Sequence, residues 1–177
     1  MEDKQFLVNA DQSDVRVQNL RNAMYPQIAK HEGVKKAVYT DSVGKPTIGI
    51  GFNLADPVNQ EILAKEGIDH NALIKGKQSL SDEQIRSLYE RSFINAYRDA
   101  KAFLPDLDKH PEAVQKAVID MAFNMGRPTL MGFKKTRKAF QDRNYQAAAD
   151  EMLDSLWAEQ VGDRATSLAN MVRRAKR

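Results

Sequence analysis

The spacing of apolar positions changes character several times along the chain. Residues 1–23 are polar and weakly patterned, apart from a short helical signal over Val15 to Ala23. Pro26 and Gly33 then bracket a helix of about two turns. Proline suits a first turn, where its missing donor would be unpaired anyway, and glycine suits the left-handed residue that ends a helix. Glu32 falls at the C-terminal edge of this segment.

Ala37 to Leu54 predicts strand, turn, strand. Val38 and Tyr39 are strand formers, Asp41-Ser42-Val43-Gly44-Lys45 supplies turn residues, and Thr47-Ile48-Gly49-Ile50-Gly51-Phe52 alternates. A period of two puts Ile48, Ile50 and Phe52 on a buried face and Thr47, Gly49 and Gly51 on the other. Glycine weakens a strand, so two glycines beside a threonine predict a bare strip along which a bulky ligand can lie.

From Pro57 onward the period is helical. Ser81-Asp82-Glu83-Gln84 has the form of a capping box and opens a long helix that ends at about Phe103, before Pro105. Pro111 opens the next, in which Val114, Val118, Met121, Ala122 and Met125 recur at helical spacing as a core stripe, and Gly126 and Pro128 end it. Shorter helices are predicted at about Phe133–Asp142, Tyr145–Trp157 and Asp163–Arg174. There is no internal repeat or low-complexity linker. The layout is an N-terminal extension (1–23), then one domain (24–177). That domain comprises a small hairpin lobe (about 33–80), a connecting helix (about 82–103) and a larger helical lobe (about 104–177).

Composition narrows the class. With 177 residues, 42% hydrophobic and 29% charged, the chain can support its own core. It has no cysteine, so no disulfide or thiolate metal site holds it together. The net charge of +3 and pI near 9.0 favour polyanionic partners without choosing among them. Arg173, Arg174, Lys176 and Arg177 concentrate part of that charge at a helix end, where cations complement the dipole. The first residues lack a basic start and apolar run, so no secretory signal is read, and no stretch approaches the ~20 apolar residues of a membrane span. His31, His70 and His110 are scattered without metal spacing.

Hydrolysing a glycosidic bond needs one carboxyl that keeps its proton and a second that is ionised. A glutamate at a helix end among packing residues and an aspartate in a polar turn meet these descriptions, as Glu32 and Asp41 do. Spacing by itself does not separate this from chance, because a chain with 24 acidic residues holds many such pairs. On spacing alone, an exposed helix-end carboxylate and an ordinary turn former are the readings these two positions favour. Arg164 likewise reads as either a surface charge or a site residue.

The complete block His31-Glu32-Gly33, Tyr39-Thr40-Asp41-Ser42-Val43-Gly44, Thr47-Ile48-Gly49-Ile50-Gly51 resembles the signature of the T-even phage lysozymes, glycoside hydrolase family 24. There a Glu-Gly ends the first helix, a Tyr-x-Asp follows nine residues after the Glu, and a Thr-Ile-Gly-x-Gly strand puts its Thr six residues after the Asp. Ala117 to Gly126, Gly132-Phe133 and Trp157-Ala158-Glu159-Gln160 with Arg164 resemble the family's helical lobe, so the likeness spans about residues 24 to 170.

The resemblance implies a mainly helical α+β lysozyme-like fold with the active-site cleft between its lobes. It implies Glu32 as general acid, Asp41 as second carboxylate and Thr47 as the residue that seats the water. Substrate contacts are implied at Gly51, Phe52, Asn53, Phe123, Thr136 and Arg164. Phe52 stands where many members carry His, Asn53 where they carry an aliphatic residue, and Glu151 where an amide is offered to the substrate.

The activity implied is an N-acetylmuramidase that cuts peptidoglycan between N-acetylmuramic acid and N-acetylglucosamine with inversion, needing no cofactor or metal. A lytic transglycosylase and a non-catalytic wall-binding virion module are the alternatives; the Glu32, Asp41, Thr47 set argues against both. Expected partners are peptidoglycan and, through residues 1–23, a phage virion, with no nucleic acid and no stable membrane insertion. A monomer is expected. It would be made in the host cytoplasm and act on the periplasmic wall, either through a phage pore protein or as part of the particle.

Overall fold

Helix α1 runs without interruption over Val15–Glu32, capped at its start by Asp14, whose carboxylate accepts the Arg16 amide at 2.8 Å. The two-part reading, a short helix to Ala23 and a second opened by Pro26, is therefore corrected: Pro26 lies inside a single helix. An interior proline removes one backbone hydrogen bond and crowds the preceding turn. Packing outweighs that cost, because Val17, Leu20, Met24 and Ile28 form one buried stripe at helical spacing. Gly33 ends the helix as expected, at φ 79°, with its N–H bonded to the Ala29 carbonyl at 2.9 Å.

The computed structural model describes residues 14–41 and 44–176. The extension before Asp14, the turn residues Ser42 and Val43, and Arg177 of the basic terminal run lie outside the described residues.

A three-stranded antiparallel sheet follows, β1 (Lys35–Thr40), β2 (Pro46–Gly49) and β3 (Phe52–Asn53), in the order β1-β2-β3. The single alternating strand expected over 47–52 is thus broken. Gly49 and Gly51 both have φ 64° and turn the chain at Ile50–Gly51, so that Ile48 pairs with Phe52 and Thr47 with Asn53. Their glycines serve a tight reversal that side chains resist, rather than a bare strip of strand. Ile48, Ile50 and Phe52 are buried, as the pattern predicted, and so is Thr47.

Helices α2 (Pro57–Lys65) and α3 (His70–Ile74) are capped by Asp56 and Asp69. The long helix α4 (Asp82–Phe103) opens on the expected capping box: Ser81 Oγ accepts the Gln84 amide at 3.1 Å and Gln84 Oε1 accepts the Ser81 amide at 2.9 Å. Two compact units divide within this helix, between Phe93 and Ile94. In the first unit α4 packs on α1: Tyr89 donates to the Arg21 carbonyl at 2.7 Å and meets Tyr25 edge-on.

The second unit is helical. After a 3-10 turn at Leu107–Lys109 come α5 (Glu112–Met131), α6 (Lys134–Gln141), α7 (Tyr145–Leu153), α8 (Leu156–Val161) and α9 (Asp163–Arg173). Helix α5 is buried from Val114 to Ala122 apart from half-buried Lys116, with Gln115 and Asp120 among the buried residues. It breaks at Gly126 (φ 77°), as expected, but the chain then re-enters helix, with Pro128 in the first turn of the new piece instead of ending the old one. The predicted helix over Tyr145–Trp157 is two helices, because Ser155 starts a new cap by accepting the Ala158 amide at 3.1 Å.

Candidate active site

In the first unit, α1 delivers Glu32 to its last residue, half-buried. A Cβ placed on Gly51 would stand 2.8 Å from Glu32 Oε2 and 3.1 Å from its carboxyl carbon. The turn between β2 and β3 therefore presents bare backbone to the Glu32 carboxyl, and a methyl group there would collide with it. Gly51, expected as a substrate contact, is first of all the surface on which Glu32 rests.

Asp41 closes the turn between β1 and β2. Its Oδ1 accepts the Lys45 amide at 2.8 Å, its own amide donates to the Lys45 carbonyl at 2.9 Å, and the Gly44 amide donates to its carbonyl at 3.1 Å. Asp41 is thus a turn former, and that same role fixes where its half-buried carboxylate stands. Thr47 Oγ1 donates to the Lys45 carbonyl at 3.1 Å, so Lys45 contacts both side chains through its backbone.

Cross-strand register supplies the remaining piece. Tyr39 pairs with Thr47 and Thr47 with Asn53, which puts the three side chains in one row across the sheet. Tyr39 was absent from the expected site residues. Its phenol is held above the usual tyrosine range, first by burial and then by the negative charges of Glu32 and Asp41. Both candidate carboxylates thus bear on one hydroxyl. The signal was present in the sequence as the two-residue spacing of Tyr39 and Asp41, which puts both on one face of an extended strand.

The other expected residues divide. Asn53 is half-buried; its side-chain oxygen accepts the Ala55 amide at 2.9 Å. The Phe52 ring is 3% exposed and belongs to the apolar core, so it presents no rim surface. In the second unit Phe123 is half-buried on α5, and its neighbour Asn124 accepts a 2.7 Å bond from the Trp157 indole. Thr136 lines a depression of about 370 Å³ together with Phe133, Lys134, Lys135, Glu151 and Asp154.

Arg164 is 8% exposed, which removes its reading as a surface charge; its Nε donates to the wholly buried Asp120 at 2.8 Å. His110 is buried and bonds Tyr145 and Asp106. Among the described residues no group of three metal-ligating side chains forms, and no helix is long and apolar enough to cross a membrane.

Residues 29–177 match the protein family described as Phage lysozyme. The chain is 28% identical over 149 residues to "Probable T4-type lysozyme 1" of Dictyostelium discoideum, covering 80% of this chain and 88% of that protein. A second protein of that organism, "Probable T4-type lysozyme 2", is 27% identical over 79% of this chain and 87% of its own length. The chain is also 27% identical to part of "Pre-baseplate central spike protein Gp5" of Enterobacteria phage T4, over 87% of this chain and 28% of that protein. With this match over most of its length, and with a small antiparallel sheet followed by a helical unit, the chain belongs to the phage lysozyme family.

Proposed function

We propose that this lysozyme cleaves the β-1,4 bond from N-acetylmuramic acid to N-acetylglucosamine in peptidoglycan, with Glu32 as acid and Asp41 as its ionised partner. One observation carries the assignment: the Glu32 carboxyl stands against Gly51 in the turn after β2, and Asp41 holds the other turn of the same small sheet. Two carboxyls at one site are what glycoside hydrolysis requires. Glu32, backed by Gly51, hands its proton to the bridging oxygen. Positive charge grows on the muramic ring and is stabilised by the Asp41 anion. The Thr47 hydroxyl, whose proton is directed to the Lys45 carbonyl, offers its lone pairs to orient the attacking water. Attack from the face opposite the leaving group inverts the anomeric carbon.

Asn53 in the first unit, and Phe123, Thr136 and Arg164 in the second, are proposed glycan contacts. Arg164 would act in part by keeping α5 in place through Asp120. Gly51 contributes through its backbone alone, and Phe52 by shaping the core beneath the row. The likeness to one segment of a named spike protein supports carriage on a virion, and release into the host through a phage pore protein is the other route. Detection of the protein in purified particles separates the two routes.

The reaction is tested by digesting purified peptidoglycan and analysing the new ends by mass spectrometry and early-time NMR. Reducing muramic acid ends, first formed with inverted configuration, are expected. Anhydro ends would overturn hydrolysis in favour of transglycosylation, and retained configuration would overturn the water-seating role of Thr47.

A further inference from the structure

The sheet closes on a two-residue strand whose second residue, Asn53, is held from several sides. Its side-chain oxygen accepts the Ala55 amide at 2.9 Å, so that oxygen is committed and the Nδ2 group is what the side chain presents. Among the described residues nothing accepts from Nδ2, and it is not sealed off from solvent. The backbone behind it is tied down. Asn59 Nδ2 donates to the Asn53 carbonyl at 2.9 Å, while Gln60 Nε2 and His70 Nε2 both donate to the Leu54 carbonyl, at 3.1 and 2.8 Å. The Leu54 amide in turn donates to the Pro46 carbonyl at 2.9 Å. Asn53 pairs across the sheet with Thr47, which puts the two side chains on one face with Cβ atoms about 4.5–5.5 Å apart. A half-buried donor without a partner, on a backbone fixed by three side chains, is pre-organised for an acceptor from outside the chain.

We propose that Asn53 is a specificity-determining residue, its Nδ2–H donating to the carbonyl oxygen of the 2-acetamido group on the muramic ring. The inference rests on the reading of Thr47 as the residue that seats the attacking water. That water meets C1 of the ring, and the acetamido group stands on C2, the next carbon. A donor one strand away from the Thr47 hydroxyl is therefore placed for the substituent beside the reacting carbon. The chemistry matches, since an amide carbonyl accepts and Asn53 has only its N–H groups left to offer. The contact has a second consequence. An acetamido oxygen left free can itself attack C1, as in glycosidases assisted by their own substrate. Held by Asn53, it leaves that carbon to the water. Asn53 itself transfers no proton and forms no covalent bond.

The test compares two synthetic oligosaccharides of alternating N-acetylglucosamine and N-acetylmuramic acid, one intact and one with free amines on its muramic rings. Asn53→Asp keeps the oxygen that holds the Ala55 amide and removes the donor, so the turn is retained. On the intact chain the variant should lose about 3- to 10-fold in kcat/KM, the worth of one hydrogen bond. On the amine chain it should lose nothing, because the new carboxylate attracts the ammonium group. Equal losses on both chains, or none on either, would overturn the proposal, since a merely structural asparagine gives those results. The Nδ2 proton signals of the unaltered Asn53 give a second reading by NMR, in a Glu32→Gln protein that does not turn over. They should move when the intact chain is added and stay in place with the amine chain. Signals that respond alike to both chains would overturn the contact, whether or not Asn53→Asp folds. An inactive wild type would count against the hydrolytic assignment alone, since the amide signals still decide what Asn53 binds.

Discussion

The Glu32 carboxyl rests on the backbone of Gly51, with room for a hydrogen and none for a methyl: a Cβ there would stand 2.8 Å from Oε2. Gly49, two residues earlier, has the same φ of 64° yet a Cβ would meet only Leu80 and Ile85, at 3.7 and 4.0 Å. The pair separates backbone strain from displacement of the acid. Gly49→Ala and Gly51→Ala should each lose about 1–2 kcal/mol of stability from the left-handed backbone. Only Gly51→Ala should also lose activity, by about tenfold or more, measured well below both melting temperatures. Equal activities would show that Glu32 does not depend on Gly51.

Asp120 and Arg164 form an ion pair on the buried side of α5, at 2.8 Å through Nε and 2.7 Å through a terminal nitrogen. Removing one member takes the opposite charge away from a buried group, which costs about 3–5 kcal/mol. Asp120→Ala and Arg164→Ala should each show that loss in urea unfolding, and the double variant should lose much less than their sum. Additive losses would mean the pair is not coupled.

Stability should depend on His110 between neutral and mildly acid pH. Burial lowers its pKa from the usual 6.5, the Arg143 charge adds to this, and Asp106 opposes it. The unfolded chain therefore takes up a proton that the folded chain resists. The stabilising contribution is complete above about 6.5 and is lost as pH falls below that value. Melting temperatures from pH 7.5 to 5 should drop for the wild type and drop less for His110→Gln. Parallel curves would remove His110 as the cause.

Pro26→Ala restores a backbone donor inside α1 at an exposed position. It should raise stability by about 1–3 kcal/mol. A lower melting temperature would show that the proline ring contributes packing not offset by the recovered hydrogen bond.

These particular residues also mark how far the chain could be read before folding. Ser81 and Gln84 act locally, so their reciprocal cap was readable, as was the end of α1 at Gly33. Pro26 was misread because a local rule was overridden by a buried stripe contributed from both sides of it. The glycines at 49 and 51 satisfied a period of two by coincidence of position, while their φ values belong to a turn that ends the strand. Glu32, Asp41 and Thr47 were named through the resemblance of the whole block, because spacing alone did not separate them from chance. Tyr39 stood in that block without a role, because its relation to Glu32 depends on where a helix end meets a sheet. Asp120 as the partner of Arg164 lies 44 positions away, a pairing that periodicity does not encode.

The central claim is that Glu32 is the proton donor. Glu32→Gln keeps the size of the side chain and removes the acid, so its melting temperature should stay close to that of the wild type. Turbidity clearing of permeabilised Gram-negative cells should slow by about 100- to 10,000-fold, the usual worth of a general acid. Clearing by the folded variant at the wild-type rate would contradict the account.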